Sequence, residues 1–443
     1  MLVFILFIYM IGSFSILSVK DAGKIKFAFL RQMLLVLFFH AFGYAAILMH
    51  EQNLEVLAFY LVQVVFMLLY VFIFTNVYRN SSRVILSHMM MLLVLSFIIL
   101  TRLDFDKALK QFLMVIVAAT LTLVVPKMFA RIKTSGVWAV VLGIIGFMLL
   151  LVVLMFSSRT YGASLSLNLG FITFQPSEFV KISFVLLVAV LFKNRQNFKA
   201  VLFSGVIALL HIIILIASTD LGGAAIYAFS YLFMVYTVTE KPFYLIGGLF
   251  AGAGVAVLAY KAFSHVRTRV DIFLDPWPLF SGKGNQVCNS LLGMASGGFW
   301  GTGLYMGSPE LIPVVEKDFI FSAIVEEMGA VAGVSIILIS LSCTLKFIQV
   351  SAEHREPFYR TLGIGLTAVY AVQTVLTIGG NIKFIPATGV TLPLVSYGGS
   401  SVFSTFILFS IMQELFVRAG NREERMERIE GKKSFKKEAK STE

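Results

Sequence analysis

The sequence contains few cysteines and few charged residues, and both shortages exclude whole classes of protein. Only Cys288 and Cys343 occur in 443 residues, without a CxxC motif or a Cys/His spacing suited to zinc. Neither a disulfide framework nor a structural metal is therefore indicated. Charged residues make up 14% of the chain and hydrophobic residues 58%, far from the composition of soluble domains. The composition predicts an all-α polytopic membrane protein.

The first nineteen residues also lack the features of a cleaved leader. Residues 1–19 have neither a basic leader nor a small-residue cleavage site, so we expect them to remain as a membrane span. The net charge of +12 would suggest nucleic acid in a soluble protein. In a membrane protein the positive-inside rule explains it more simply, and we expect no nucleic-acid partner.

A transmembrane helix needs about twenty apolar residues, and thirteen stretches of this chain qualify. They lie near residues 1–19, 33–49, 55–77, 84–101, 111–130, 137–157, 178–192, 200–217, 221–239, 242–262, 319–345, 361–380 and 400–417. Basic residues cluster in alternate connections, so thirteen crossings put them all on one side. This pattern predicts an outside N-terminus and a cytoplasmic C-terminus.

The longest polar stretch, residues 263–318, would then face outward. A long loop without an obvious element of its own is usually functional. Arg267 and Arg269 could hold phosphate oxygens, and Lys283 lies between two glycines that could present backbone donors to the same anion. The glycines at 293–307 are open to two interpretations, close approach of the backbone to a bulky substrate or tight turns between short re-entrant helices. The carboxylates available as a base are Asp271, Asp275, Glu316 and Asp318.

Two other outward stretches, 162–181 and 379–401, also carry unusual polar residues. In the first, Gln175 precedes a proline, and Glu178 and Lys181 are three residues apart, so they share a helix face and can pair. Capping of the helix and a functional role are both open, because ionisable groups at membrane depth are functional candidates. The second stretch is too rich in glycine and proline for an uninterrupted span, so it should line a cavity or lie buried in protein.

Two spans carry further polar groups, Asp220 and the pair Glu326 and Glu327, for which pairing between helices is the favoured interpretation. The tail at residues 418–443 contains nine Lys/Arg and six Asp/Glu. We expect it to be a solvated, partly helical end attracted to anionic lipid.

Six motifs, taken together and in this order, resemble the SEDS family (shape, elongation, division and sporulation), which contains RodA, FtsW and SpoVE. They are QPSEFVK at 175–181, DLGGA at 220–224, DPW at 275–277, GKGNQVCNSLLGMASGGFWGTGL at 282–304, KDFIFSAIVEEMG at 317–329 and TGVTLPLVSYGGSS at 388–401. The resemblance implies a ten-helix core in a bacterial plasma membrane that polymerises lipid II into glycan strands beside a class B penicillin-binding protein. It divides the chain into accessory helices at 1–78, a core at 79–417 and the tail.

The chain departs from the family pattern at two places. The family's essential loop carboxylate aligns with Leu279, and the family's usual Arg-Trp pair aligns with Leu165 and Ser166. Because leucine cannot take a proton, an inactive scaffold or regulator of a penicillin-binding protein is one alternative to a polymerase. A lipid II transporter is another.

Polymerisation would require a general base, with cations or a divalent ion such as Mg²⁺ or Mn²⁺ to receive the diphosphate charge. We predict Asp275 as the first candidate base and Asp318 as the second. No residues are predicted as metal ligands. The residues expected to bind substrate are Gln175, Glu178, Lys181, Arg267, Arg269, Lys283, Gln286, Ser396 and Ser400.

Overall fold

The computed structural model describes residues 1–17, 19, 21–131, 136–156, 167–168, 173–194 and 197–441. The first helices are α1 (Leu2–Ser15), α2 (Ala22–Glu51), α3 (Leu54–Val77), α4 (Arg83–Leu103), α5 (Phe105–Thr122), α6 (Val125–Arg131), α7 (Val137–Phe156), α8 (Pro176–Phe192) and α9 (Phe198–Ala217). The later helices are α10 (Leu221–Thr239), α11 (Pro242–Ala262), α12 (Ser264–Leu274), α13 (Asn285–Gly297), α14 (Ile320–Glu353), α15 (Pro357–Asn381) and α16 (Gly399–Ser441). Two short strands, β1 (Leu167–Asn168) and β2 (Thr173–Phe174), pair antiparallel before α8.

Within the described residues, eleven helical segments are long and apolar enough to cross a membrane, with α5 and α6 counted as one segment. The predicted helical, multi-pass architecture is confirmed. The predicted number of thirteen crossings is not, because α1 has 14 residues and α8 has 17. Both are shorter than the roughly twenty residues that a perpendicular crossing needs.

Helix α4 joins the N-terminal helices to the rest of the bundle. All its residues from Val84 to Thr101 are buried, because α2, α5 and α14 pack around it. Such a helix, largely apolar and with its few polar side chains, such as Ser87, His88 and Ser96, buried against neighbouring helices, suits a central position rather than the lipid boundary. On the other side of the bundle, α10 and α15 make the most extensive helix pair, and α8 packs against both.

The stretch at 263–318 contains more regular structure than the sequence suggested. It holds α12, α13 and two 3-10 turns, Trp277–Leu279 and Pro309–Leu311. Short helices joined by turns are one of the two interpretations that the sequence leaves open for this stretch, and polar helices of 11 and 13 residues lack the long apolar runs used to locate spans. The predicted break between the last two long helices is confirmed, because α15 ends at Asn381 and α16 begins at Gly399.

Candidate functional site

A small polar cavity of about 70 Å³ lies where the starts of α8 and α10 meet α12 and the irregular segment after α15. Four stretches that are far apart in the sequence contribute to it. Its polar lining includes Gln175, Ser177, Glu178, Lys181, Thr219, Asp220, Arg269, Thr388 and Thr391. Four of the residues predicted to bind substrate, Gln175, Glu178, Lys181 and Arg269, are therefore brought together.

A buried ion pair forms one wall of this cavity. Lys181 Nζ lies 2.6 Å from Glu178 Oε2 and 2.7 Å from Gln373 Oε1, and Ser404 donates to the same Glu178 oxygen at 2.9 Å. Lys181 is only 3% exposed. The predicted pairing at a spacing of three residues is confirmed, and charged side chains at this depth are tolerated because each has partners.

Asp220 forms the neighbouring wall and caps α10. The Gly223 N–H donates to Asp220 Oδ1 at 2.7 Å, as expected for a carboxylate at the positive end of a helix. Burial raises the pKa of Asp220, and the bond from Gly223 opposes this shift. From the sequence, Asp220 is expected to pair between helices and belongs to the DLGGA motif, and an Asp before Leu-Gly-Gly is also a usable capping signal.

Arg269 enters the cavity from α12, whereas Arg267 does not. The Arg269 guanidinium donates to the carbonyl oxygen of Ala387, and burial lowers the pKa of Arg269 while Asp318 and Asp220 oppose that shift. Arg267 is exposed and donates to the carbonyl oxygen of Lys261 at 3.2 Å. Residues two apart on a helix do not face the same way, so only one of the two arginines faces the cavity.

Of the two candidate bases, Asp318 lies beside the cavity. A Cβ built on Gly389 would be 3.8 Å from Arg269 Nη2 and 3.9 Å from Asp318 Oδ2, so both side chains flank this glycine. Asp318 is partly buried, and burial raises its pKa to about 6. Asp275 is exposed, and its Oδ1 caps the following turn by accepting from the Trp277 N–H at 3.2 Å.

The other predicted site residues lie outside the cavity lining. Lys283 is exposed, and Gln286 Nε2 donates to the carbonyl oxygen of Pro313 at 2.8 Å. Ser396 Oγ accepts from the Leu392 N–H at 2.8 Å within a turn. Ser400 Oγ accepts from the Gln175 N–H at 3.0 Å, so it ties the start of α16 to the start of α8 behind the cavity.

Leu279 is half-buried in the 3-10 turn that follows α12. It packs closely on the next turn, where a Cβ built on Gly284 would be 3.0 Å from Leu279 Cβ. Leu279, which the resemblance aligns with the family's loop carboxylate, therefore packs against the following turn. The other departures, Leu165 and Ser166, lie outside the described residues.

No three His, Cys, Asp or Glu side chains in the described ranges come together as possible metal ligands. Around the cavity, Glu178 is already paired with Lys181, and Arg269 flanks Gly389 together with Asp318. Asp220 also lines the cavity, with its Oδ1 bonded to the Gly223 N–H. Among the described residues, Arg269 and Lys181 are the cations in the cavity lining.

An apolar groove of about 710 Å³ runs along α9, α10 and α11 and ends at Arg269. Small side chains make room for it, among them Ala224, Ala228, Gly248 and Gly252. Arg269 and Thr388 line both the groove and the polar cavity. A molecule with a long apolar chain and an anionic head could therefore place its chain in the groove and its head at Arg269.

Comparisons with known proteins agree with this architecture. Residues 81–420 match the FtsW/RodA/SpoVE family, described as "Cell cycle protein". The peptidoglycan glycosyltransferase RodA of Mycobacterium tuberculosis is 32% identical over 277 residues, which cover 58% of this chain and 58% of the relative. A probable peptidoglycan glycosyltransferase FtsW from a Geobacter species is 30% identical over 291 residues, covering 63% of this chain and 79% of the relative.

Solved structures show the same fold. A chain from a peptidoglycan synthase complex, in a study of how polymerization and crosslinking are coordinated, superposes with a TM-score of 0.65 at 24% identity, covering 76% of this chain and 98% of that one. The rod shape determining protein RodA of Thermus thermophilus gives a TM-score of 0.57 at 21% identity, covering 76% and 96%. The family match begins at residue 81, so α1, α2 and α3 lie outside it.

Proposed function

This chain belongs to the FtsW/RodA/SpoVE family, and from that premise we propose that it is a peptidoglycan glycosyltransferase that polymerises lipid II. The observation that carries the proposal is the position of Arg269, which lines both the apolar groove and the polar cavity. Lipid II has a matching order of parts: a polyprenyl chain, a diphosphate and a disaccharide. The groove would take the chain, and Arg269 would bind the diphosphate.

The reaction joins two lipid-linked sugars. The 4-hydroxyl oxygen of the acceptor bonds to the anomeric carbon of the donor, and the bond from that carbon to the lipid diphosphate breaks. The diphosphate leaves with the electron pair, and the hydroxyl proton passes to a base. Asp318 is our choice of base, because a carboxylate with a pKa of about 6 is ionised at pH 7 yet more basic than an ordinary aspartate. Arg269 would stabilise the charge that develops on the diphosphate.

The proposal includes a place in the cell and a partner. The protein would lie in the bacterial plasma membrane with its N-terminus outside and its C-terminus in the cytoplasm, so that the cavity opens toward the wall. A class B penicillin-binding protein would crosslink the strands. The fold shared with a chain of a peptidoglycan synthase complex supports this partnership.

The second candidate function is that of an inactive scaffold for such a penicillin-binding protein. Leu279 favours it, because this side chain packs in a turn where the family carries its essential carboxylate. A scaffold would still bind lipid II through Arg269 and the groove but would not turn it over. A transporter, in contrast, would move lipid II across a bilayer.

The deciding experiment is polymerisation of labelled lipid II by the purified full chain, alone and with its penicillin-binding protein. Glycan ladders on a gel are expected from the wild-type protein. A known active relative serves as the positive control. Absence of ladders beside an active control would overturn the proposal, and translocation of lipid II into vesicles by the same preparation would favour transport.

A further inference from the structure

Buried polar side chains connect the N-terminal helix α1 to α14 by way of His88, which lies on α4. The Tyr9 hydroxyl hydrogen-bonds His88 Nδ1 at 2.9 Å, and His88 Nε2 hydrogen-bonds Ser342 Oγ at 3.0 Å. Lys346 Nζ donates to the carbonyl oxygen of Leu17 at 3.2 Å. These bonds reach the half of α14 that follows Gly329. Buried polar groups need partners, so they fix one orientation of α1 on α14.

At the outer end, α2 contacts the large loop through an aromatic stack. The rings of His50 and Tyr305 lie 4.1 Å apart with an interplanar angle of 25°. Arg102 at the end of α4 lies over the same Tyr305 ring, with its guanidinium carbon 4.6 Å from the centroid. Arg102 also pairs with Glu327 of α14 at 2.8 Å. The last turn of α2, the loop and α14 therefore meet at one tyrosine.

Tyr305 belongs to a loop segment that completes a break in α14. Gly329 interrupts this helix with φ 81°. The backbone groups on both sides of the interruption form hydrogen bonds with the loop. The Thr302 N–H donates to the carbonyl oxygen of Glu326 at 2.9 Å, and the Ala330 N–H donates to that of Gly298 at 2.9 Å. Position 329 requires glycine because the loop backbone passes so close that a Cβ there would be 2.3 Å from the carbonyl oxygen of Phe299. Backbone at membrane depth requires such partners.

We propose that α1 and α2 form a brace that, together with α4, holds loop residues 298–308 against the break in α14. Tyr9 of α1 connects the brace to Ser342 of α14, beyond Gly329, by way of His88 on α4. His50 of α2 connects the brace to the loop through its stack on Tyr305. The brace thereby sets the position of the outer half of α14, which begins two residues after Asp318. These contacts exist whichever reaction the site performs, so the proposal does not depend on catalysis.

Hydrogen–deuterium exchange of the full chain in lipid nanodiscs tests the brace. Removing the stack with His50→Ala or Tyr305→Leu should speed exchange of residues 298–308 by about two- to tenfold, since an aromatic pair contributes that much to a local closed state. His50→Phe keeps a ring at this position and should restore slow exchange. Met49→Ala is the matched control, because Met49 is 82% exposed on the same turn.

The result that would overturn the brace is exchange within twofold of wild type in both His50→Ala and Tyr305→Leu. An equal rise in Met49→Ala would also overturn it, because the effect would then come from the helix end and not from the stack. Failure of lipid II polymerisation would leave this readout unchanged, so the two proposals are tested separately.

Discussion

Replacing Lys181 by methionine probes the wall of the cavity most directly. The ammonium group of Lys181 contacts Glu178 at 2.6 Å and Gln373 at 2.7 Å, and it is almost fully buried. Methionine has a similar length and no charge. Among the described residues, the substitution leaves the hydroxyl of Ser404 as the hydrogen-bond donor to the buried carboxylate of Glu178.

Loss of one member of a buried ion pair lowers the free energy of unfolding by about 3 to 5 kcal/mol. Because the hydrogen bond from Ser404 offsets part of this loss, we expect a decrease of about 3 kcal/mol. That is a change of about a hundredfold in the unfolding equilibrium. Reversible unfolding in mixed detergent micelles would measure it. The double variant Lys181→Met with Glu178→Gln should recover most of the loss, because a neutral pair leaves no uncompensated charge.

Lys283→Met is the matched control, because Lys283 is exposed and should change stability by less than about 0.5 kcal/mol. A double variant that is no more stable than Lys181→Met alone would refute the ion-pair explanation. So would a loss of stability in Lys181→Met that only equals the loss in Lys283→Met.

Three further predictions concern the base, the groove and the helix break. The polymerisation rate at saturating lipid II should fall about tenfold per unit below pH 6, because burial raises the pKa of Asp318 to about 6 and the base must be ionised; a flat profile from pH 5 to 8 would contradict this. Ala228→Phe should fill the groove and lower lipid II binding by about tenfold or more, whereas Ala45→Phe on the exposed side of α2 should not. Gly329→Ala should destabilise the fold by about 3 kcal/mol or more in an unfolding titration, while Gly254→Ala, which meets nothing within 4 Å, should be neutral or stabilising.

The pairing of Glu178 with Lys181 was predictable because helix geometry depends only on spacing. Their third partner, Gln373, was not, because it comes from α15 and nothing in the local sequence indicates which residue of a distant helix faces the pair. The cavity as a whole is a product of tertiary packing. The sequence could indicate the stretches that contribute to it, but not which side chains in each stretch face inward.

In the large loop, too, the sequence did not indicate which side chains face the cavity. Asp275 seemed the better substitute base because it lies one turn from Leu279, but a 3-10 turn and a capping bond direct it to the surface. Asp318 lies 39 positions beyond Leu279 along the chain, and the fold brings it beside Arg269 and Gly389. Sequence distance is a poor guide in such a loop, because the glycines let its backbone fold back on α14.

The most direct test of the account compares Asp318→Asn with Asp275→Asn in polymerisation of labelled lipid II. Both substitutions remove a carboxylate and keep its shape. The unfolding titration should show that both variants are as stably folded as the wild-type protein. If Asp318 is the base, Asp275→Asn should still produce glycan ladders, and Asp318→Asn should polymerise lipid II at least about a hundredfold more slowly than the wild-type protein. Full activity in Asp318→Asn, or loss only in Asp275→Asn, would contradict it.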